Sequence, residues 1–257
     1  MAEIVAGAAA SVELAAGIWR IAEDQGFVEK VIDFFKKRDK ILVLGSTGTG
    51  KTNLISSLGA VTGHVNAIPR DARTQTAESH RVRLENRPLL VVDTPGQALH
   101  APQREEAIRD AMKGEGLVRV INVVANGFHE FATSASSAVE NGKPREEFLQ
   151  QQRSTEIDSL KSWVPLLGDR FQTAWVLTVV NKADLWWERR DAVMDQYRAG
   201  PYADAIRASD SRLKHAVLPY CSVIHRFYGE ARLPGEFDDE NRLAITSHFL
   251  RELVVLG

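Results

Sequence analysis

With a single cysteine, Cys221, in 257 residues, the chain cannot form an internal disulfide and suits a reducing compartment. It has no uninterrupted apolar run of about 20 residues, the length a membrane-spanning helix needs. The alanine-rich opening, MAEIVAGAAASVELAAGIWR, is broken by Glu3 and Glu13, and its first basic residue is Arg20. That is too late for the charged start of a secretory signal. Charge of one sign is not in excess either. Lysine and arginine number 32 against 34 aspartate and glutamate, a net charge of -2, so no general attraction to nucleic acid is expected. Internal repeats are absent. These absences point to a soluble, cytoplasmic protein with no integral membrane segment and no nucleic-acid partner. Its apolar fraction of 44% is enough for a real core, and its length suits one large domain or a domain with an appendage.

The chain does contain an aliphatic run, Ile41–Leu44, that breaks into GSTGTGKT, residues 45–52. Apolar on both faces, the run reads as a central parallel strand. The octet fits G-x-x-x-x-G-K-[ST] without a mismatch. Gly45, Gly48 and Gly50 permit the backbone angles that turn successive N–H groups of Ser46, Thr47 and Thr49 toward phosphate oxygens. Lys51 supplies a point charge to the β- and γ-phosphates, and the Thr52 hydroxyl suits Mg²⁺. Asn53 and the apolar residues that follow have helical spacing, which presents a helix N-terminus to the anion.

A second aliphatic run, Leu89–Val92, ends in Asp93, the first residue of DTPG. Asp93 is expected to hold Mg²⁺ through a water, and the Gly96 amide to sense a γ-phosphate. A third run, Ala174–Val180, ends in NKAD, residues 181–184. The Asp184 carboxylate matches the N1–H and exocyclic amine of guanine, whereas adenine offers no such pair of donors. Asn181 is suited to tie this loop to the phosphate loop, and the Lys182 stem to cover one face of the base. After a further strand, the backbone N–H groups of Ser222 and Val223 are expected to reach the guanine O6.

The ordered set GSTGTGKT, DTPG, NKAD and CSV resembles that of the P-loop GTPases of the translation-factor and Ras-like (TRAFAC) class, bacterial small-GTPase type, over about residues 38–257. Val223 departs slightly, since most relatives carry alanine there. The resemblance implies GTP and GDP as ligands, Mg²⁺, and two loops, near 66–79 and 93–104, that move with the γ-phosphate. It also implies a switch threonine, Thr74 by its spacing from Asp93 or alternatively Thr76, that caps Mg²⁺. Gln97 stands where Ras-like members place the glutamine that orients the attacking water. Lys51, Thr74 and Gln97 are thus the catalytic candidates, with Arg73 and His100 as weaker ones. The implied activity is slow GTP hydrolysis. The alternatives are a GTP-binding assembly module with negligible turnover, of septin-like or Toc-like kind, and a ribosome-assembly GTPase, although no basic RNA-binding appendage is visible.

Alternating runs predict an α/β fold, a doubly wound and mostly parallel sheet of about six strands. Strands are expected at 40–44, 80–85, 88–92, 117–125, 174–180 and 215–221, and helices at 102–114, 147–166, 187–208 and 239–256. The nucleotide domain spans 39–257. Residues 1–38 read as an N-terminal helical extension, with Ile4, Ala8, Val12, Ala15 and Trp19 at helical intervals. Small and polar residues dominate 133–143, which predicts a flexible loop. The extension and the 126–145 segment are the places expected to receive a protein effector or a second copy. Of the adjacent Trp186 and Trp187, one is expected beneath the sheet and the other at a contact surface.

Overall fold

The computed structural model describes residues 40–61, 78–84, 87–93, 101–113, 117–130, 135–168, 173–209, 213–229 and 237–256. The N-terminal extension, Thr74, Thr76, Gly96, Gln97, Arg73 and His100 lie outside them.

The chain alternates strand and helix. β1 (Lys40–Leu44) leads into α1 (Lys51–Val61), followed by the hairpin of β2 (Glu78–Leu84) and β3 (Arg87–Asp93). Then come α2 (Ala101–Met112) and β4 (Val118–Val124). A short helix α3 (Ala135–Ala138) and the two-residue strands β5 (Val139–Glu140) and β6 (Lys143–Pro144) precede α4 (Glu146–Trp163) and α5 (Pro165–Gly168). β7 (Thr173–Val180), α6 (Arg190–Arg198), α7 (Pro201–Ser209), β8 (Lys214–Pro219) and α8 (Asp239–Leu256) complete the order.

Six strands form one sheet in the order β2-β3-β1-β4-β7-β8. Every pairing is parallel except that of β2 with β3. The aliphatic strands are buried on both faces, as two helical layers require. Leu42, Leu44, Val120, Val124, Val176 and Val180 meet α2, α4, α6 and α7. The alternate residues Ile41, Val43, Ile121, Val123, Leu177 and Val179 meet α1 and α8. This is the doubly wound α/β fold.

Several boundaries differ from expectation for local reasons. The hairpin runs longer because pairing extends from Glu78 opposite Asp93 to Leu84 opposite Arg87. The helix expected over 187–208 is two, with a break at Ala199 and Gly200. Pro201, at the first position of α7, pushes its predecessor out of helical geometry. The 133–143 segment is not a structureless loop where it is described. Asn141 (φ 52°) and Gly142 (φ 70°) form the left-handed turn that closes β5 on β6.

Candidate functional site

From β1 the chain crosses to β3 on one side of it, and from β4 it crosses to β7 on the other. The crevice at the carboxyl ends of β1 and β4 is therefore the switch point where open α/β sheets take ligands. Residues 45–50 leave β1 there, 125–130 leave β4, 181–184 leave β7 and 220–223 leave β8.

The loop after β1 is cut to fit its neighbours. Gly48 (φ 78°) has no room for a side chain, since a Cβ would stand 2.6 Å from the carbonyl oxygen of Glu130. At Gly50 (φ 88°) a Cβ would stand 2.5 Å from the end of the Asn181 side chain, its Nδ2. Lys51 is almost fully buried, and its Nζ donates to the carbonyls of Gly45 and Ser46, both at 3.0 Å. The Thr49 hydroxyl donates to the Ser46 carbonyl at 2.9 Å. Thr52 is half-buried and Asn53 exposed on the first turn of α1, while Thr47 is half-buried in the loop. The ammonium of Lys51 thus rests against two carbonyl oxygens on the inner side of a backbone loop, the arrangement of a cation held ready for an anion.

Asn181 is the joint between loops. Its Nδ2 donates to the Thr49 carbonyl at 2.9 Å, and its Oδ1 accepts from the N–H and the hydroxyl of Ser222, both at 3.3 Å. The Ser222 amide, expected at the guanine O6, is therefore engaged with Asn181 in this structure; Val223 beside it is half-buried. Lys182 takes a left-handed conformation (φ 59°, ψ 42°). Its Nζ donates to the Phe128 carbonyl at 2.7 Å and to Glu130 Oε2 at 2.6 Å. Burial pulls the Lys182 pKa down, against the charge of Glu130.

The Asp184 carboxylate accepts from the His225 N–H at 3.0 Å and from the Cys221 thiol at 3.3 Å. Burial lifts its pKa above the ordinary carboxylate range, while the His225 amide and charge oppose that lift. Burial and the neighbouring Asp184 push the Cys221 thiol far up, so it serves as an S–H donor. Trp186 is buried and its Nε1 donates to the Asn181 carbonyl at 2.9 Å; Trp187 packs edge-on against Phe237, with centroids 5.0 Å apart.

Asp93 closes β3 opposite Val43 of β1, the strand that leads into the phosphate loop. The donor types that Thr52 and Asp93 offer, a hydroxyl and a carboxylate, are the hard oxygens Mg²⁺ takes. Among the described residues no three His, Cys, Asp or Glu side chains gather to hold a metal by themselves.

Among the described residues, several charged groups of this site carry no motif. Glu130 and His225 stand against Lys182 and Asp184. Glu156 of α4, fully buried, holds the segment after β4: its Oε1 accepts from the N–H groups of Ala125 (2.8 Å) and Gly127 (3.3 Å) and faces His129 Nε2 at 2.8 Å. Its Oε2 accepts from the Tyr197 hydroxyl at 2.5 Å. The one sequence signal for this turn was Asn126–Gly127 directly after a strand; both have positive φ.

The chain matches the model of the 50S ribosome-binding GTPase family over residues 40–159. The match takes in the 45–52 and 93–96 segments and stops short of 181–184 and 222–223. No curated protein matches the sequence. Among solved structures, the fold is similar to that of the mammalian SRP receptor. That likeness has a TM-score of 0.50 at 14% identity and covers 86% of this chain and 100% of that one. Looser likenesses are to a dimerization-deficient mutant of Toc33 from Arabidopsis thaliana (TM-score 0.45, 16% identity, 90% and 92% covered) and to the Arl6 BBS3 small GTPase from Trypanosoma brucei with a bound nucleotide analogue (0.43, 11%, 84% and 98%). Among the described residues, no helix is long and apolar enough to cross a membrane.

Proposed function

We propose that this chain, whose residues 40–159 match the 50S ribosome-binding GTPase family, is a guanine-nucleotide switch of the translation-factor and Ras-like class that hydrolyses GTP slowly to GDP and phosphate. The observation that carries this reading is one hydrogen bond, Asn181 Nδ2 to the Thr49 carbonyl at 2.9 Å. It joins the loop that bears Lys51 to the loop that bears Asp184, so a phosphate-binding charge and a guanine-matching carboxylate belong to one crevice.

In this reading Gly45, Ser46, Thr47, Gly48, Thr49 and Gly50 direct backbone N–H groups at the phosphates, with Asn53 beside them on α1. Lys51 leaves its two carbonyls for the β- and γ-phosphates. Asp184 reads the guanine edge, the Lys182 stem covers the base, and the amides of Ser222 and Val223 face O6. Thr52, Asp93 through a water, and Thr74 (or Thr76) would hold Mg²⁺, which neutralises charge on the phosphates when bound. Gln97 orients the water that attacks the γ-phosphate, and the Gly96 amide responds to that phosphate, ordering the loops near 66–79 and 93–104. Partner contact, with an effector or a second copy, falls to residues 1–38 or 126–145, the surplus over a minimal nucleotide fold.

The test is single-turnover phosphate release from GTP with protein in excess, with and without Mg²⁺. Magnesium-dependent release is expected, and Gln97→Ala should slow it by about 100-fold. No release from the intact protein would defeat the enzymatic reading and leave a binding module.

A further inference from the structure

Among the described residues, Glu130 touches the loops that follow β1, β7 and β8. Its backbone N–H approaches the Gly48 carbonyl at 3.4 Å, in the phosphate loop. Its Oε2 accepts from Lys182 Nζ at 2.6 Å and faces His225 Nε2 at 2.7 Å. Its Oε1 accepts from the Tyr228 N–H at 2.8 Å. The segment that delivers it is pinned from behind by Glu156, so the carboxylate is preorganised rather than swept in from solvent.

His225 is held just as tightly. Its N–H donates to Asp184 Oδ2, its Nε2 faces Glu130, and its Nδ1 faces the Val223 carbonyl at 3.3 Å with Asp184 Oδ2 at 3.6 Å. Both ring nitrogens therefore point at oxygens. A neutral imidazole has one N–H and would set a lone pair against an oxygen at its other nitrogen; an imidazolium donates at both. The surrounding titratable groups are Glu130 from the β4 segment, Lys182 and Asp184 from the β7 loop, and the Cys221 thiol from the residue's own loop.

The geometry points to Glu130 and His225 as a clasp that positions the base-reading loops, so that the protonation of His225 sets the rate of nucleotide release. This inference rests on the guanine-nucleotide reading above. Neither residue belongs to the motifs that carry that reading; both act through Lys182 and Asp184 and are positioning residues. The electrostatics agree in sign. Burial disfavours the imidazolium, but the Glu130 hydrogen bond and charge outweigh it, with Lys182 opposing and Asp184 assisting, and the His225 pKa is raised. The Glu130 pKa, despite burial, is brought down to about 2 by His225 and Lys182. With the histidine pKa raised, the clasp is closed below its ordinary value of about 6.5 and opens as pH climbs through the elevated one.

The test follows release of a fluorescent GDP from the full chain, chased with excess GDP, between about pH 6 and pH 8.5. Wild type should release slowly at the acid end and about tenfold faster at the alkaline end, the scale of one charge-assisted hydrogen bond. Glu130→Gln and His225→Gln should each release fast at the acid end and lose the pH slope. The double variant should be no faster than either single one, since both remove one interaction. A role in folding alone would not produce a pH slope that vanishes in both variants, and far-ultraviolet circular dichroism with a urea midpoint checks that each is folded. Should wild type release at one rate across this range, or should both folded single variants keep its slope, the clasp is overturned while guanine binding stands. Folded wild type that takes up no labelled GDP would overturn the guanine reading and the clasp together.

Discussion

At the scale of single residues, Asp184 has the sharpest consequence. A carboxylate accepts from both guanine donors, whereas an amide presents one donor and one acceptor, the pattern that xanthine matches. Asp184→Asn should therefore lose GTP and gain xanthosine triphosphate, a change in their affinity ratio of about 100-fold or more. Competition of the two nucleotides against a labelled analogue measures it, and an unchanged order of preference would contradict the placement of Asp184 at the base edge. Its place at the tip of a strand was legible in the sequence because Asn181, Lys182 and Asp184 follow one aliphatic run at fixed spacing; its partners, the His225 N–H and the Cys221 thiol, lie far along the chain and were not. Glu130 and His225 were not, because what gives them a role is proximity. Glu130 reaches Lys182, Tyr228 and Gly48 only after four strands have been laid side by side. Nothing in ANGFHEF by itself separates Glu130 from an ordinary exposed carboxylate. The engagement of the Ser222 amide by Asn181 was equally hidden, since a backbone donor has no side-chain signature.

Elements were legible where periodicity is strong and blurred where a turn interrupts it. The buried strands β1, β4 and β7 stand out as aliphatic runs, because a strand covered on both faces has no polar alternation to confuse it. Over 187–208 the amphipathic pattern continues on both sides of Gly200–Pro201, so its period hid the break between α6 and α7. The Asn141–Gly142 turn carried a clear hairpin signal, outweighed by the small and polar residues around it. What no periodicity could reveal is that α4 holds the β4 segment through Glu156. Glu156→Leu removes the acceptor of the Ala125 and Gly127 amides and of the Tyr197 hydroxyl. Each orphaned donor costs about 1–3 kcal/mol, so urea denaturation should show a loss of roughly 3 kcal/mol or more. A loss under about 1 kcal/mol would mean that packing alone holds the segment.

For the whole molecule, the sheet order decides where ligand energy is felt. The loops after β1, β4, β7 and β8 meet at one edge of the sheet, and the helices behind them belong to both covering layers. A ligand bound across that edge contacts segments anchored in both halves of the core. It should therefore stabilise the fold as a unit rather than one loop. Binding to the native state alone adds RT ln(1 + [L]/Kd), about 2.7 kcal/mol at a hundredfold excess over Kd. GDP with Mg²⁺ should accordingly raise the melting temperature by several degrees, in a single transition and in proportion to the logarithm of its concentration. ADP at the same concentration can engage the phosphate loop but offers nothing to match the Asp184 carboxylate, so it should move the transition far less. The difference between the two shifts isolates the base-reading half of the crevice from the phosphate-binding half. Equal shifts would place all of the binding energy in residues 45–52 and leave the β7 and β8 loops without a part in recognition.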